Sequence, residues 1–291
     1  ARGQIDREFR MRRADGHWVW IRARAEVVAD SDDAPHLVGI AVRVTEQKRL
    51  AEASRPADLR LRDAIEAISE AFVLWDAANR RVLFSDIPRN MIWEWSESGG
   101  LKKYLQPSGY TGTEPFTGRE PGSNGLTFNK AGELVMCQHG DRRIAKLSGG
   151  KFVTLADKYQ GKRLNSPNDL VFKSNGDLYF TDPPYGLPRQ ADDPGKELDF
   201  QGVYRLNARG EVTLLTRELS RPNGLAFSPD EQTLYVANSD PNKAIVMAYP
   251  VKSDGTLGAG KVFFDATKAA QEKKPGLPDG MKVSRDGTLW A

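Results

Sequence analysis

The 291-residue sequence is 39% apolar and 28% charged, with one cysteine and a formal net charge of +3. It has no apolar run near the ~18 residues of a membrane helix, and a lone cysteine excludes an internal disulfide framework and a Cys-type zinc site. So mild a charge argues against nucleic acid or an anionic membrane as partner, and Ala1-Arg2-Gly3-Gln4 holds no apolar signal core, so a cytoplasmic protein is expected.

The averages conceal a break. Residues 1–82 hold 14 Arg and 1 Lys, residues 83–291 hold 11 Arg and 16 Lys, and 24 of the 27 glycines fall in the second part. Loop-rich β structure accounts for the glycines but not for the exchange of Arg for Lys. Two domains of different origin are therefore expected.

In chain order, Glu8-Phe9-Arg10-Met11-Arg12 alternates polar and apolar residues, Ala14-Asp15-Gly16-His17 turns, and Trp18 to Ala25 resumes the alternation. An Asp-Gly turn between alternating segments predicts a hairpin. A third strand is predicted over Leu37 to Val44. Thr45 is placed as the N-cap of a helix over Glu46 to Glu52. A second helix is predicted from Asp58 to about Ser69, with Leu61, Ile65 and Ile68 on one face. The order strand, Asp-Gly, strand, strand, helix resembles the C-terminal half of a PAS domain, through Arg13 to Trp20 and Val44 to Glu52. Leu61 to Val82, with Ala71-Phe72-Val73-Leu74-Trp75-Asp76, resembles the opening of a second one. The domains expected here are thus 1–54, the closing half of a PAS domain, and 55–82, a helix and first strand of another. Such segments imply a sensory role and a homodimer.

From residue 83 the chain repeats. Ser123-Asn124-Gly125-Leu126-Thr127-Phe128, Pro167-Asn168-Asp169-Leu170-Val171-Phe172, Pro222-Asn223-Gly224-Leu225-Ala226-Phe227 and Pro278-Asp279-Gly280-Met281-Lys282-Val283 align, each followed by a polar turn and a second strand. The Asn or Asp positions are 44, 55 and 56 residues apart. A period of this size with several short strands per unit predicts a β-propeller. Each Asn or Asp opens an innermost strand, so the four are expected at one mouth of the central channel. Asn-Gly and Asp-Gly also form turns; four in register favour a shared site. Amide oxygens with one or two carboxylates suit a hard cation.

Ser85-Asp86-Ile87-Pro88, Cys137-Gln138-His139-Gly140-Asp141-Arg142-Arg143, Ser166-Pro167-Asn168-Asp169, Phe180-Thr181-Asp182-Pro183-Pro184-Tyr185-Gly186 and Leu277-Pro278-Asp279-Gly280-Met281 strongly resemble the gluconolactonase/regucalcin (senescence marker protein) family of six-bladed propellers. The resemblance covers residues 83–291. It implies a mainly β chain that hydrolyses a sugar lactone with a divalent ion, Ca²⁺ or Zn²⁺. By resemblance Asn223 and Asp279 match metal ligands and Asn168 faces metal and substrate, accompanied by Asp169. Asn124 lines the pocket, and His139 is either a substrate contact or a hydrogen-bonded structural residue; Tyr185 and Arg189, in a Pro-rich loop between strands, either cover the pocket and select the substrate or belong to a solvated loop. Asp279 is the expected general base, and Cys137 a small buried residue.

The glutamate ligand that the family carries early in its first blade has no counterpart, and Glu94, Glu97, Glu114 and Glu120 are expected away from the site. Six blades need roughly 270 residues at this period, and 209 remain. An open propeller of four to five blades, from a truncated or chimeric product, is the expectation. A PAS-containing sensor with a ligand-binding propeller, or an inactive product, is the alternative to a lactonase.

Overall fold

The computed structural model describes residues 4–12, 18–28, 36–43, 73–76 and 79–290. The chain divides into two units, 1–66 and 67–291.

In the first unit β1 (Gln4–Arg12), β2 (Trp18–Val28) and β3 (His36–Arg43) form an antiparallel sheet in that order. The pairing of Arg12 with Trp18 and of Val28 with His36 makes both connections hairpins, as the alternating segments predict. The predicted turn at 14–17 and both predicted helices, 46–52 and 58–69, lie outside the described residues.

The second unit is a run of antiparallel meanders. Its first sheet is β4 (Val73–Asp76), β5 (Arg81–Asp86), β6 (Met91–Ser96) and β7 (Gly100–Leu105). The second is β8 (Ser123–Phe128), β9 (Leu134–Gln138), β10 (Arg143–Ser148) and β11 (Lys151–Ala156). A short ribbon, β12 (Lys158–Tyr159) and β13 (Lys162–Arg163), precedes the third sheet. That sheet is β14 (Leu170–Phe172), β15 (Leu178–Asp182), β16 (Gly202–Leu206) and β17 (Val212–Thr216). The fourth is β18 (Pro222–Phe227), β19 (Thr233–Asp240), β20 (Lys243–Pro250) and β21 (Lys261–Asp265). The helix α1 (Thr267–Gln271) leads to β22 (Lys282–Val283) and β23 (Leu289–Trp290).

Each four-stranded sheet keeps sequence order from one edge to the other, and the first strands β8, β14, β18 and β22 of successive sheets lie side by side. This is the open propeller expected from the repeats. The strand Val73–Asp76, within the segment 55–82, pairs with β5 through Val73 to Phe84 and Asp76 to Arg81.

The core is divided into layers between neighbouring sheets. Leu83, Ile92, Leu126, Leu134 and Met136 fill the first. Val135, Ile144, Leu178, Phe180 and Tyr204 fill the second, Tyr179, Val203, Leu225, Leu234, Val236 and Tyr249 the third, and Ala226, Ala237, Val246 and Met281 the last. A sheet with a neighbour on each face must be apolar on both. This is why Leu134-Val135-Met136-Cys137-Gln138 and Leu178-Tyr179-Phe180-Thr181-Asp182 are buried at every residue instead of alternating. Among the described residues no helix is long and apolar enough to cross a membrane.

Candidate active site

Three local devices set the repeated Asn and Asp residues. The first is a break in pairing: the ladder between β8 and β9 slips between Ser123 and Leu126, and that between β18 and β19 between Pro222 and Leu225. Asn124-Gly125 and Asn223-Gly224 thus leave their own sheets and face the neighbouring one. The second is the glycine. A Cβ on Gly125 would lie 2.8 Å from the Asn168 carbonyl oxygen, and one on Gly224 would lie 2.2 Å from that of Asp279. Neither glycine is among the positive-φ residues, so the dipeptide serves close packing between sheets and not a turn. The third is a hydroxyl on the preceding sheet. Ser85 Oγ donates to the Asn124 carbonyl at 2.7 Å, Thr181 Oγ1 to that of Asn223 at 2.7 Å, and Ser239 Oγ to that of Pro278.

The asparagines fall into two classes. Asn129, Asn175 and Asn207 sit in the hairpin turns, and their Oδ1 atoms accept backbone N–H groups of Glu133 at 2.9 Å, Asp177 at 3.0 Å and Glu211 at 3.0 Å. Those are turn formers. Asn168, 3% exposed, and Asn223, 7% exposed, use their side chains for no such turn; Asn223 instead turns its amide toward Asp279 and Tyr185. The half-buried Asn124 likewise caps no turn.

Asp279 is exposed to water at the start of the last repeat. Protein crowded around its carboxyl raises its pKa, the Gly280 N–H and the Asn223 side chain pull it back, and the charge of Glu120 adds to the rise. Water on the open side screens these effects. Asp169 is 1% exposed. Its oxygens accept the Leu170 N–H at 2.8 Å and, across the sheet boundary, the Leu225 N–H at 3.2 Å. Burial pushes it up to about 6. The side chain expected beside the substrate therefore joins the third and fourth sheets.

A cavity of about 700 Å³ opens beside these residues, lined by Arg119, Glu120, Tyr185, Arg189, Asp192 and Arg221 among others. Tyr185 connects it to the repeats. Burial pushes the phenol up to about 12, although the Arg221 charge and the Ser239 and Asn223 side chains oppose that shift. Gly186 lets the loop lie flat, because a Cβ there would stand 2.5 Å from Ser166 Oγ and 2.6 Å from His139 Cβ; its N–H donates to Ser166 Oγ at 2.8 Å. His139 is fully buried, and its Nδ1 lies 3.0 Å from Glu120 Oε2. Neither ring nitrogen has a hydrogen-bond partner among the described residues. His139 thus stands behind Glu120, not in the cavity wall.

Glu120, Arg119 and Arg221 were not among the site residues expected from sequence, and Glu120 was expected elsewhere. Nothing in the repeat pattern marks Arg119 and Glu120, because they sit in the long connection before β8; Arg221 adjoins the Pro-Asn-Gly segment and was legible as a neighbour. Cys137 is fully buried, and burial raises its thiol pKa well above the usual range.

The sequence model of the SMP-30/Gluconolactonase/LRE-like region matches residues 69–291. The chain belongs to this family. The Gluconolactonase of Zymomonas mobilis is 40% identical over 230 residues, covering 75% of this chain and 62% of that protein. The Lactonohydrolase oryL of Aspergillus oryzae is 32% identical over 156 residues, covering 48% of this chain and 36% of that protein. This gluconolactonase-family chain thus spans less than two thirds of either relative. A solved gluconolactonase structure from Xanthomonas campestris is 34% identical, with TM-score 0.62, covering 75% of this chain and 67% of that one. The PAS fold model matches residues 1–41.

The residues present suit a cation held mainly through neutral oxygen. Among the described residues no group of three or more His, Cys, Asp or Glu comes together. The donors facing one another are the amide of Asn223 and the carboxylate of Asp279, with Asn168 opening the preceding repeat. Oxygen donors with few charges fit Ca²⁺ or a similar hard ion.

Proposed function

We propose that the propeller hydrolyses a sugar lactone at the mouth where Asn168, Asn223 and Asp279 meet the Tyr185 cavity. The observation that carries this is the division among the asparagines: those at turns are spent on backbone N–H groups, while Asn223 turns its amide to Asp279. The family and its lactone-hydrolysing relatives support the same chemistry.

Asn223, Asp279 and Asn168 would hold the cation. When bound, such an ion polarises the lactone carbonyl as a Lewis acid. Asp279, open to solvent, takes the proton from the attacking water. Water adds to the acyl carbon, the bond from that carbon to the ring oxygen breaks, and the ring oxygen leaves as a hydroxyl carrying a proton. The product is the open hydroxy acid. Tyr185, whose phenol stays protonated, donates a hydrogen bond to the substrate and closes one side of the cavity against water.

A pH-stat assay of the full chain on glucono-1,5-lactone tests this. We expect a rate that rises with Ca²⁺ and falls at least 100-fold in Asp279→Ala, in line with loss of a general base. An equal rate in that variant, or no enzymatic rate with any divalent ion, overturns the reading.

A further inference from the structure

We propose that the lactone accepted by this site carries an anionic substituent, a carboxylate or a phosphate, gripped by Arg119, Arg189 and Arg221. The inference rests on the lactonase reading for the reaction, but its geometric basis is separate. All three residues line one cavity and are solvent-exposed. They arrive from distant parts of the chain: the connection before β8, the loop after β15, and the residue directly before β18. The positive charge is therefore assembled by the fold and is not one basic stretch.

None of the three makes an ion pair among the described residues. Four arginines elsewhere in the propeller make ion pairs, whereas Arg80, Arg163, Arg209, Arg217 and Arg285 make none among the described residues. Arg81 pairs with Asp76 at 2.7 Å and Glu94 at 2.8 Å, Arg143 with Asp141 at 2.8 Å and Arg205 with Asp177 at 2.7 Å. Arg142 donates to the carbonyls of Leu164 at 2.8 Å and Gly195 at 2.9 Å. The cavity also holds two carboxylates, Glu120 and Asp192. The three arginines are thus set among carboxylates, since the Arg221 charge also acts on Asp240 and Tyr185, and Glu120 is turned toward His139.

The wall therefore offers fork-shaped donors for a planar or tetrahedral anion and carboxylates for hydroxyl groups. A neutral sugar would engage both sets through its hydroxyls, but only an anion matches the charge and the fork of the guanidinium groups. Tyr185 fixes the distance scale, since it touches both this cavity and the Asn223–Asp279 pair. The anionic group then lies on the arginine side while the lactone carbonyl lies at the repeats.

The test compares ligands that differ by one anionic group, on the full chain. By calorimetry, gluconate, glucarate and 6-phosphogluconate are titrated at low and high salt; the last two carry an added carboxylate and an added phosphate. We expect at least tenfold tighter binding of one of them than of gluconate. The gain should shrink as salt rises and fall at least fivefold in Arg189→Ala and Arg221→Ala. Which of the two gains identifies the anion. Equal binding of all three, or a gain unchanged in both variants, overturns the proposal. In parallel, glucono-1,5-lactone and 6-phosphoglucono-1,5-lactone are compared by kcat/KM, with at least a tenfold preference expected for the phosphorylated one. Hydrolysis of both without preference sinks the anionic substrate and leaves the lactonase reading standing. Tight binding of the anionic acids without hydrolysis of either lactone sinks the lactonase reading and leaves the anion site standing.

Discussion

At the residue scale, a buried carboxylate organises the approach to the site. Asp182 is fully buried at the end of β15, and its oxygens accept the N–H groups of Asn165 at 2.8 Å and Ser166 at 2.7 Å. It thereby holds the two residues that lead into Pro167-Asn168. Burial raises its pKa from 3.8 to about 7, outweighing those two donors and the charges of Arg142 and Lys196. The folded state therefore binds this proton more tightly than the unfolded chain does. The stability it contributes is full below about pH 4 and is lost as pH rises to about 7, at roughly 1 kcal/mol per pH unit. Urea midpoints measured from pH 4 to 7.5 are expected to fall more steeply for the native protein than for Asp182→Asn. The variant is less stable throughout, because its NH₂ group faces one of the two N–H donors. Parallel curves would show that the carboxylate is already ionised in the fold.

At the scale of elements, two glycines of the propeller do different work. Gly132 turns between β8 and β9 at φ 76° with open space around it, whereas Gly224 lies against the next repeat. Gly132→Ala should cost about 1 kcal/mol from backbone strain alone. Gly224→Ala places a methyl 2.2 Å from a carbonyl oxygen that cannot turn aside. The β22 repeat must then move, at a cost of about 1–3 kcal/mol or more, and Asp279 moves with it. Thermal unfolding and lactone turnover of the two variants check this: activity should be kept in Gly132→Ala and lost in Gly224→Ala.

At the scale of the molecule, the sheets pack side by side in four layers, and the candidate cation donors belong to three successive repeats. A cation held by Asn168, Asn223 and Asp279 ties those repeats together, so its binding should appear as stability. At a hundred times Kd, one site adds about 2.7 kcal/mol. Differential scanning calorimetry should show Tm rising with Ca²⁺, returning with EDTA and standing still in Asp279→Ala. A native Tm indifferent to Ca²⁺, Mg²⁺ and Zn²⁺ would contradict the assignment.

The repeats and the open propeller were legible from spacing, while Asn223 and Asp279 are singled out as metal ligands by the family resemblance. Local patterns recur in the sequence whenever the same strand, turn and neighbour contact recur in space. The contacts of Asp169, His139 and Glu120 were not. Asp169 stands beside Asn168 in the repeat, and only the fold shows its oxygens accepting the N–H groups of Leu170 and Leu225. His139 sits in a matching motif, yet its ring is buried behind Glu120.

The sequence by itself determined the meander, the period and the residue types able to hold a hard cation, because strand pairing and turn chemistry depend on neighbours along the chain. Tertiary structure alone decided which carboxylates face the cavity and which arginines lack partners. Those outcomes depend on loops 70 and 32 residues apart in the chain, at Arg119, Arg189 and Arg221, meeting across sheets whose packing no local pattern encodes.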